Sequence, residues 1–400
     1  MNITLNDLLF ALSKTLDFVE QDLLGVTTNH SKRVANMSMI LGKAMGSDEN
    51  EIFDIASYSI LHDNALTTYM LKLEEKDYNK LENIKIHCKL GENNVASFPF
   101  QGSPSGVILY HHENWDGSGF YKLKKDTIPL HAAIIRIADN LDLNFALGTP
   151  QNGLMDKVLH HIHTHKGSLY SPLVVEAFAD VITKEHLQGM IDKQIDISLA
   201  ETMPTIGHHL SPEELLQVCQ VFAKIIDAKS NFTLNHSQGT AQIVALMGRS
   251  YGFDEHHCFK LEIAGLLHDI GKLAIPVHIL EKPGPLTQEE HAVILEHPAI
   301  TLEVLQGIEG LEEIAQWAGN HHERLDGSGY GSSLERDELC FESRLIACCD
   351  VYQALTEERP YRAAFNHATA ISIMRDMVAQ NLVDGDIVED LAQNLKNHSS

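Results

Sequence analysis

Apolar positions along the chain recur at helical intervals. Ile243, Val244, Leu246 and Met247 fall on one stripe of a predicted helix. Upstream, Ser211-Pro212-Glu213-Glu214 reads as a helix start: Ser as N-cap, Pro in the first turn and Glu at the capping-box position. That start places a boundary within 201–210 and predicts domains over 1–203 and 204–400. The N-terminal stretch MNITLNDLLFALSKTLDF has neither a basic leader nor a small-residue cleavage site, and reads as an amphipathic helix. No alternating apolar and polar run of useful length predicts a strand. The expected fold is all-α, as two tandem helical domains.

The helical pattern is written twice. TTNHSKRVANMSMILG (27–42) matches TLNHSQGTAQIVALMG (233–248), and HHENWDGSGF (111–120) matches HHERLDGSGY (321–330). His30 and His236 stand 206 positions apart, as do His62 and His268. The spacing widens to 210 at His111/His321 and 211 at Asp139/Asp350, so the insertions are small and loop-like. GSLYSPLVVEAF (167–178) is echoed weakly by NLVDGDIVEDL (381–391). Two copies make a tandem duplication, not a solenoid. The Gly-rich DGSG segments are expected to be loops.

Composition narrows the classes. A chain of 400 residues fits two domains of about 200 residues each, and 44% hydrophobic content allows each a core. No apolar run approaches the roughly 18–20 residues that span a bilayer, so a cytoplasmic protein is expected. A net charge of −25 argues against general nucleic-acid binding, which needs a basic face. The six cysteines form no CxxC pair and are expected to be buried thiols.

Histidine numbers 24 of 400, and its placement carries the chemistry. Candidate ligands in the second copy are His236, His268, Asp269, His297, His321, His322 and Asp350. Imidazoles and carboxylates together suit iron, manganese or zinc. Adjacent His268 and Asp269 point about 100° apart on a helix, which works if Asp269 bridges two metals while the histidine binds one. Two metals about 3.5–4 Å apart can clamp a phosphodiester and generate hydroxide at neutral pH. Other histidines, in 161–165, 207–209 and 255–259, are expected to be solvated or in loops.

HDIGK (268–272), HHERLDGSGY (321–330), Asp350 and RPYR (359–362) follow the order and spacing of the HD-GYP family, a branch of the HD phosphohydrolase superfamily. The resemblance covers about 212–400, and 1–200 resembles a diverged HD domain. It implies two tandem helical HD-type domains, a binuclear centre of two divalent ions (iron or manganese), and hydrolysis of a cyclic dinucleotide, chiefly cyclic di-GMP, to linear dinucleotide and in some members to GMP. By the same resemblance, the seven candidates are the metal ligands, with Asp269 bridging. Lys272 would meet a phosphate oxygen, and Arg359 and Arg362 would hold the other phosphate, a task suited to guanidinium forks.

Four positions depart from the family. Gly331 stands where Pro usually follows Gly-Tyr, Gln353 where Asp usually lies three residues after Asp350, and Ser230 where Asp lies six before His236. Phe232 occupies the place of a third-metal carboxylate, so two metals are expected. The first copy keeps His30, His62, Asp63, His87, His111, His112 and Asp139, with His87 in the weakest context. It has Leu66 in place of the Lys and nothing like RPYR, so it is expected to be regulatory or structural. Two further readings stay open. One exchanges the substrate for the hybrid GMP-AMP cyclic dinucleotide or another nucleotide. The other is a catalytically silent, metal-holding nucleotide sensor or scaffold. A homodimer or a signalling-protein partner is compatible with either.

Overall fold

Helix starts follow capping chemistry written into the chain. Glu214 N donates to Ser211 Oγ at 3.2 Å and Ser211 N to Glu214 Oε2 at 2.8 Å, so Pro212–Asp227 opens on the predicted capping box. Asp48 and Glu51 form the same reciprocal pair ahead of Glu49–Leu61. Asp254 accepts from His257 N at 2.7 Å ahead of Glu255–Leu267. Each such cap is worth about 1 kcal/mol. The N-terminal amphipathic stretch forms the helix Leu5–Leu24.

This computed structural model describes residues 3–25, 27–66, 80–102, 105–204, 209–230, 235–332, 334–358 and 363–396. Among the described residues the only regular elements are helices, joined by turns and loops, with isolated bridges at Thr4–His209 and Lys166–Tyr170. The all-α expectation holds. None of the described helices is long and apolar enough to cross a membrane. The chain divides into two compact units, Thr4–His209 and Leu210–Ser400 with Met1–Ile3.

Each unit is built around the helix that begins with its first candidate ligand histidine. His30–Ala44 packs on Glu49–Leu61 and Leu130–Phe145, and His236–Ser250 packs on Glu255–Leu267 and Phe341–Thr356. Val34, Met37, Ile55 and Ile135 are buried in the first, Val244, Met247, Leu261 and Leu345 in the second. Each such side chain contributes roughly 1.5–3 kcal/mol. Because the central helix is buried, its leading histidine is held below the surface.

The repeated decapeptide is largely a loop specification. Gly117 and Gly327 take φ of +83° and +75°, a region that favours glycine. A Cβ on Gly119 would meet Asn114 N at 2.8 Å, and one on Gly329 would meet Arg324 N at 2.5 Å. Asp116 and Asp326 accept from the amides of Ser118 and Ser328 at 2.8 and 2.9 Å. The acid after the paired histidines anchors the returning strand of the loop. Glu113 takes Tyr121 N and Leu123 N, both at 2.7 Å, and Glu323 takes Ser332 N and Leu334 N at 2.6 and 3.2 Å.

Cys340 is exposed, unlike the other five thiols, which are buried as expected. Two histidines expected to be solvated or in loops instead lie half-buried on helices, Leu154–Thr164 and Glu255–Leu267. His161 meets the Tyr170 hydroxyl at 2.9 Å, and His257 pairs with Glu342 at 3.1 Å beside the Trp317 ring.

Candidate metal centre

His236, the first residue of its helix, and Asp350, past the middle of Phe341–Thr356, meet at 2.9 Å through Nε2 and Oδ1. His268 and Asp269 lie just beyond the end of Glu255–Leu267. Asp269 is buried in the middle of the set. Its Oδ2 faces His268 Nε2 at 3.3 Å and His236 Nε2 at 3.9 Å. Its Oδ1 faces His297 Nε2 at 3.4 Å and His321 Nε2 at 3.5 Å. The two oxygens of one carboxylate thus divide the histidines into two groups, as a bridging ligand must. Donor atoms of His236, His268 and Asp350 cluster within 4.8 Å, and so do those of Asp269, His297, His321 and His322.

Backbone carbonyls aim the rings. His268 Nδ1 donates to Gly265 O at 2.8 Å, His297 Nδ1 to Ile294 O at 2.7 Å and His321 Nδ1 to Ala318 O at 2.6 Å. A carbonyl only accepts, so in each ring Nδ1 carries a proton and Nε2 is the nitrogen turned inward. Burial pushes His321 down to about 4 and His322 well below the ordinary imidazole value, which keeps both neutral. His268 Nε2 and Asp269 Oδ1 are buried with no hydrogen-bond partner among the described residues. Such orphaned atoms are costly unless a cation completes them. The residues fit a pair of divalent metals.

Lys272 is placed at the site, but its ammonium meets Asp269 Oδ2 at 2.5 Å. Burial alone would raise the Asp269 carboxyl, yet Lys272 and His268 hold it well below the usual range. Arg359 and Arg362 lie outside the described residues, as does Phe232. Ser230 donates to Glu281 at 2.6 Å. Gly331 has φ +121°, which a proline ring cannot adopt, so the turn after Tyr330 differs from the family's in its backbone.

Sequence reasoning missed Glu357. Gln353 stands in the family's usual Asp position, so it brings no carboxylate to the site. Instead, Glu357 Oε2 stands 3.3 Å from His236 Nδ1, opposite the metal-facing nitrogen. The signal was present: Glu357 is seven residues, about two turns, beyond Asp350. Glu357→Ala is expected to weaken metal affinity about 10–100-fold, read by competition with a chromophoric chelator. Unchanged affinity would remove Glu357 from the site.

Burial pulls the His236 imidazole down, but Asp350 and Glu357 outweigh it and hold it up at about 10. A metal must therefore displace a proton from His236 at pH 7. Apparent affinity is expected to rise roughly tenfold per pH unit between about pH 7 and 9, as for one released proton. A flat titration would contradict this.

The first copy repeats the geometry. Asp63 Oδ2 faces His62 Nε2 at 3.4 Å, and Asp63 Oδ1 faces His87 and His111 Nε2 at 3.2 and 3.6 Å. His30 and His112 approach Asp139 at 3.5 and 3.9 Å. His87, weakest in sequence, is in place. Behind His30, Asp142 accepts at 2.6 Å from Nδ1 and is clamped by the buried Arg33. Arg33 and Asp142 correspond to Gly239 and Gln353, where a Cβ on the glycine would strike the Gln353 amide. The two copies thus hold their leading histidine by different carboxylates. Leu66, in the Lys272 position, is buried.

HD-domain profiles match residues 27–144 and 220–387. The chain is 30% identical to 3'3'-cGAMP-specific phosphodiesterase 1 of Vibrio cholerae serotype O1, over 98% of this chain and 92% of the relative. It belongs to the HD-GYP family. As a tandem-HD member of that family it is a metal-dependent phosphodiesterase, a hydrolase. 3'3'-cGAMP-specific phosphodiesterase 3 of the same organism is 32% identical, over 78% of this chain and 67% of the relative. The crystal structure of a cyclic GMP-AMP-specific phosphodiesterase of V. cholerae, V-cGAP3, superposes with a TM-score of 0.67 at 25% identity, covering 98% of both chains. The cyclic di-GMP phosphodiesterase response regulator RpfG of Xanthomonas campestris is 35% identical over 38% of this chain and 41% of its own length.

Proposed function

We propose that residues 204–400 form the catalytic domain and hydrolyse a cyclic dinucleotide to its linear form, with 3'3'-cGAMP preferred. What carries the chemistry is the division of four histidines between the two oxygens of Asp269. What favours the hybrid ring is that relatives matching along both copies are named for it. Cyclic di-GMP, expected first from the sequence, becomes the second reading, because the relative named for it matches a much shorter part of the chain.

His236, His268, Asp269, His297, His321, His322 and Asp350 would hold two divalent ions, iron or manganese. Once bound, these would polarise the phosphodiester and acidify a water. Lys272 would leave Asp269 for a phosphate oxygen of the substrate, and Arg359 and Arg362 would orient the other phosphate. These few local cations let a chain of net charge −25 accept a dianion. The first domain, residues 1–203, would hold metal through His30, His62, Asp63, His87, His111, His112 and Asp139 without turning substrate over, since it lacks the phosphate cations. The protein would act in the cytoplasm, where such nucleotides are made.

The test is turnover of 3'3'-cGAMP against cyclic di-GMP by protein loaded anaerobically with Mn(II) or Fe(II). A kcat/KM ratio of about 10 or more, equivalent to about 1.4 kcal/mol of transition-state discrimination, is expected in favour of the hybrid. A ratio reversed in favour of cyclic di-GMP would replace the substrate assignment. Tight binding of both with no product would favour the sensor reading.

A further inference from the structure

The first copy carries a sulfur where the second has a proline. Cys88 follows His87 as Pro298 follows His297. Cys88 is fully buried on Lys80–Asn94, and its Sγ lies 3.6 Å from His87 Nε2. That nitrogen is the one facing Asp63 Oδ1 at 3.2 Å and His111 Nε2 at 3.5 Å. His87, Cys88, His111 and His112 can each offer one donor atom, all within 4.8 Å of one another.

Two of these separations match those of a tetrahedral site. Bond lengths of about 2.3 Å to sulfur and 2.0–2.1 Å to nitrogen put sulfur and nitrogen about 3.5 Å apart, and two nitrogens about 3.3–3.4 Å apart. The observed separations are 3.6 Å and 3.5 Å. The second copy has no donor atom at this place, because the Pro298 ring is hydrocarbon. Catalytic sites keep a coordination position open, whereas structural sites are closed by protein ligands. An added thiolate also moves the donor set toward softer ions than an all-His/Asp set selects.

We propose that the first copy holds a zinc-type divalent metal in a closed His/Cys/Asp site with the Cys88 thiolate as a ligand. The two halves of the chain then hold different metals for different ends, hydrolysis in one and structural or regulatory support in the other. This rests on the reading that the His/Asp clusters hold metals, and the buried Leu66 in place of a phosphate-binding cation agrees with it.

Cobalt(II) loading of the full chain tests the proposal, since thiolate ligation gives cobalt a near-ultraviolet charge-transfer band that nitrogen and oxygen ligands do not. The band is expected in the wild type, lost in Cys88→Ser and kept in Cys349→Ser, a control beside Asp350. Cobalt bound without that band, or a band surviving in Cys88→Ser, overturns the thiolate ligand while leaving the metal centres standing. No cobalt bound at all overturns both. Should Cys88→Ser fail to fold, X-ray absorption of zinc-loaded wild type reads the same ligand without a substitution. A sulfur scatterer near 2.3 Å supports it, and nitrogen and oxygen alone overturn it.

Discussion

Asp269→Asn is expected to lower phosphodiester turnover by about 10³-fold, which corresponds to about 4 kcal/mol of lost transition-state stabilisation. The amide keeps the shape of the side chain but cannot present an anionic oxygen to each half of the site. His236 and His268 approach one oxygen, and His297 and His321 the other, so both metal positions weaken together. The substitution also leaves Lys272 without its carboxylate partner. The change is read as kcat/KM with the metal content determined on the same sample. The corresponding Asp63→Asn, in the first copy, is expected to reduce metal content while leaving turnover of the same order.

Gly271→Ala is expected to destabilise the protein by about 3 kcal/mol, at the upper end of what overpacking a well-filled core costs. A Cβ there would fall 2.0 Å from the His297 carbonyl oxygen and 2.9 Å from Thr301 N, both backbone atoms that no rotamer change can move. Thr301 ties the same turn to the ligand loop, donating to His268 O at 2.9 Å and accepting from Gly271 N at 3.0 Å. The strain would therefore reach His268 and His297 at once. Metal affinity should fall along with the denaturation midpoint. A variant as stable as the wild type with full metal content would show that the turn relaxes without moving the ligands.

What the chain made legible was whatever depends on spacing. The capping residues at 211–214, the helical stripe behind His236 and the register of two copies all predict local structure that the fold contains. The candidate ligands were readable because the same histidines and carboxylates recur in register in both halves, and the fold gathers each set into one cluster. Contacts made across long separations were not readable. Glu357 meets His236 from 121 positions away, and Asp142 meets Arg33 from 109, so neither pair shares a local pattern. Gln353 read as a loss because the carboxylate that serves in its stead lies one helical turn further on. Cys88 read as one more buried thiol because a cysteine beside a histidine is common, and only the 3.6 Å approach of Sγ to the inward nitrogen distinguishes it. The roles of Glu113 and Glu323 were hidden inside the motif itself, where an acid beside two histidines suggests a ligand. Instead, these carboxylates fasten the loop that carries the histidines.

The most direct test follows 3'3'-cGAMP by chromatography with Mn(II)-loaded wild type, Asp269→Asn and Asp63→Asn side by side. The account predicts linear dinucleotide from wild type and Asp63→Asn, abolished by chelator, and almost none from Asp269→Asn. Product formed by Asp269→Asn at the wild-type rate, or lost only in Asp63→Asn, would contradict the assignment of catalysis to the second copy.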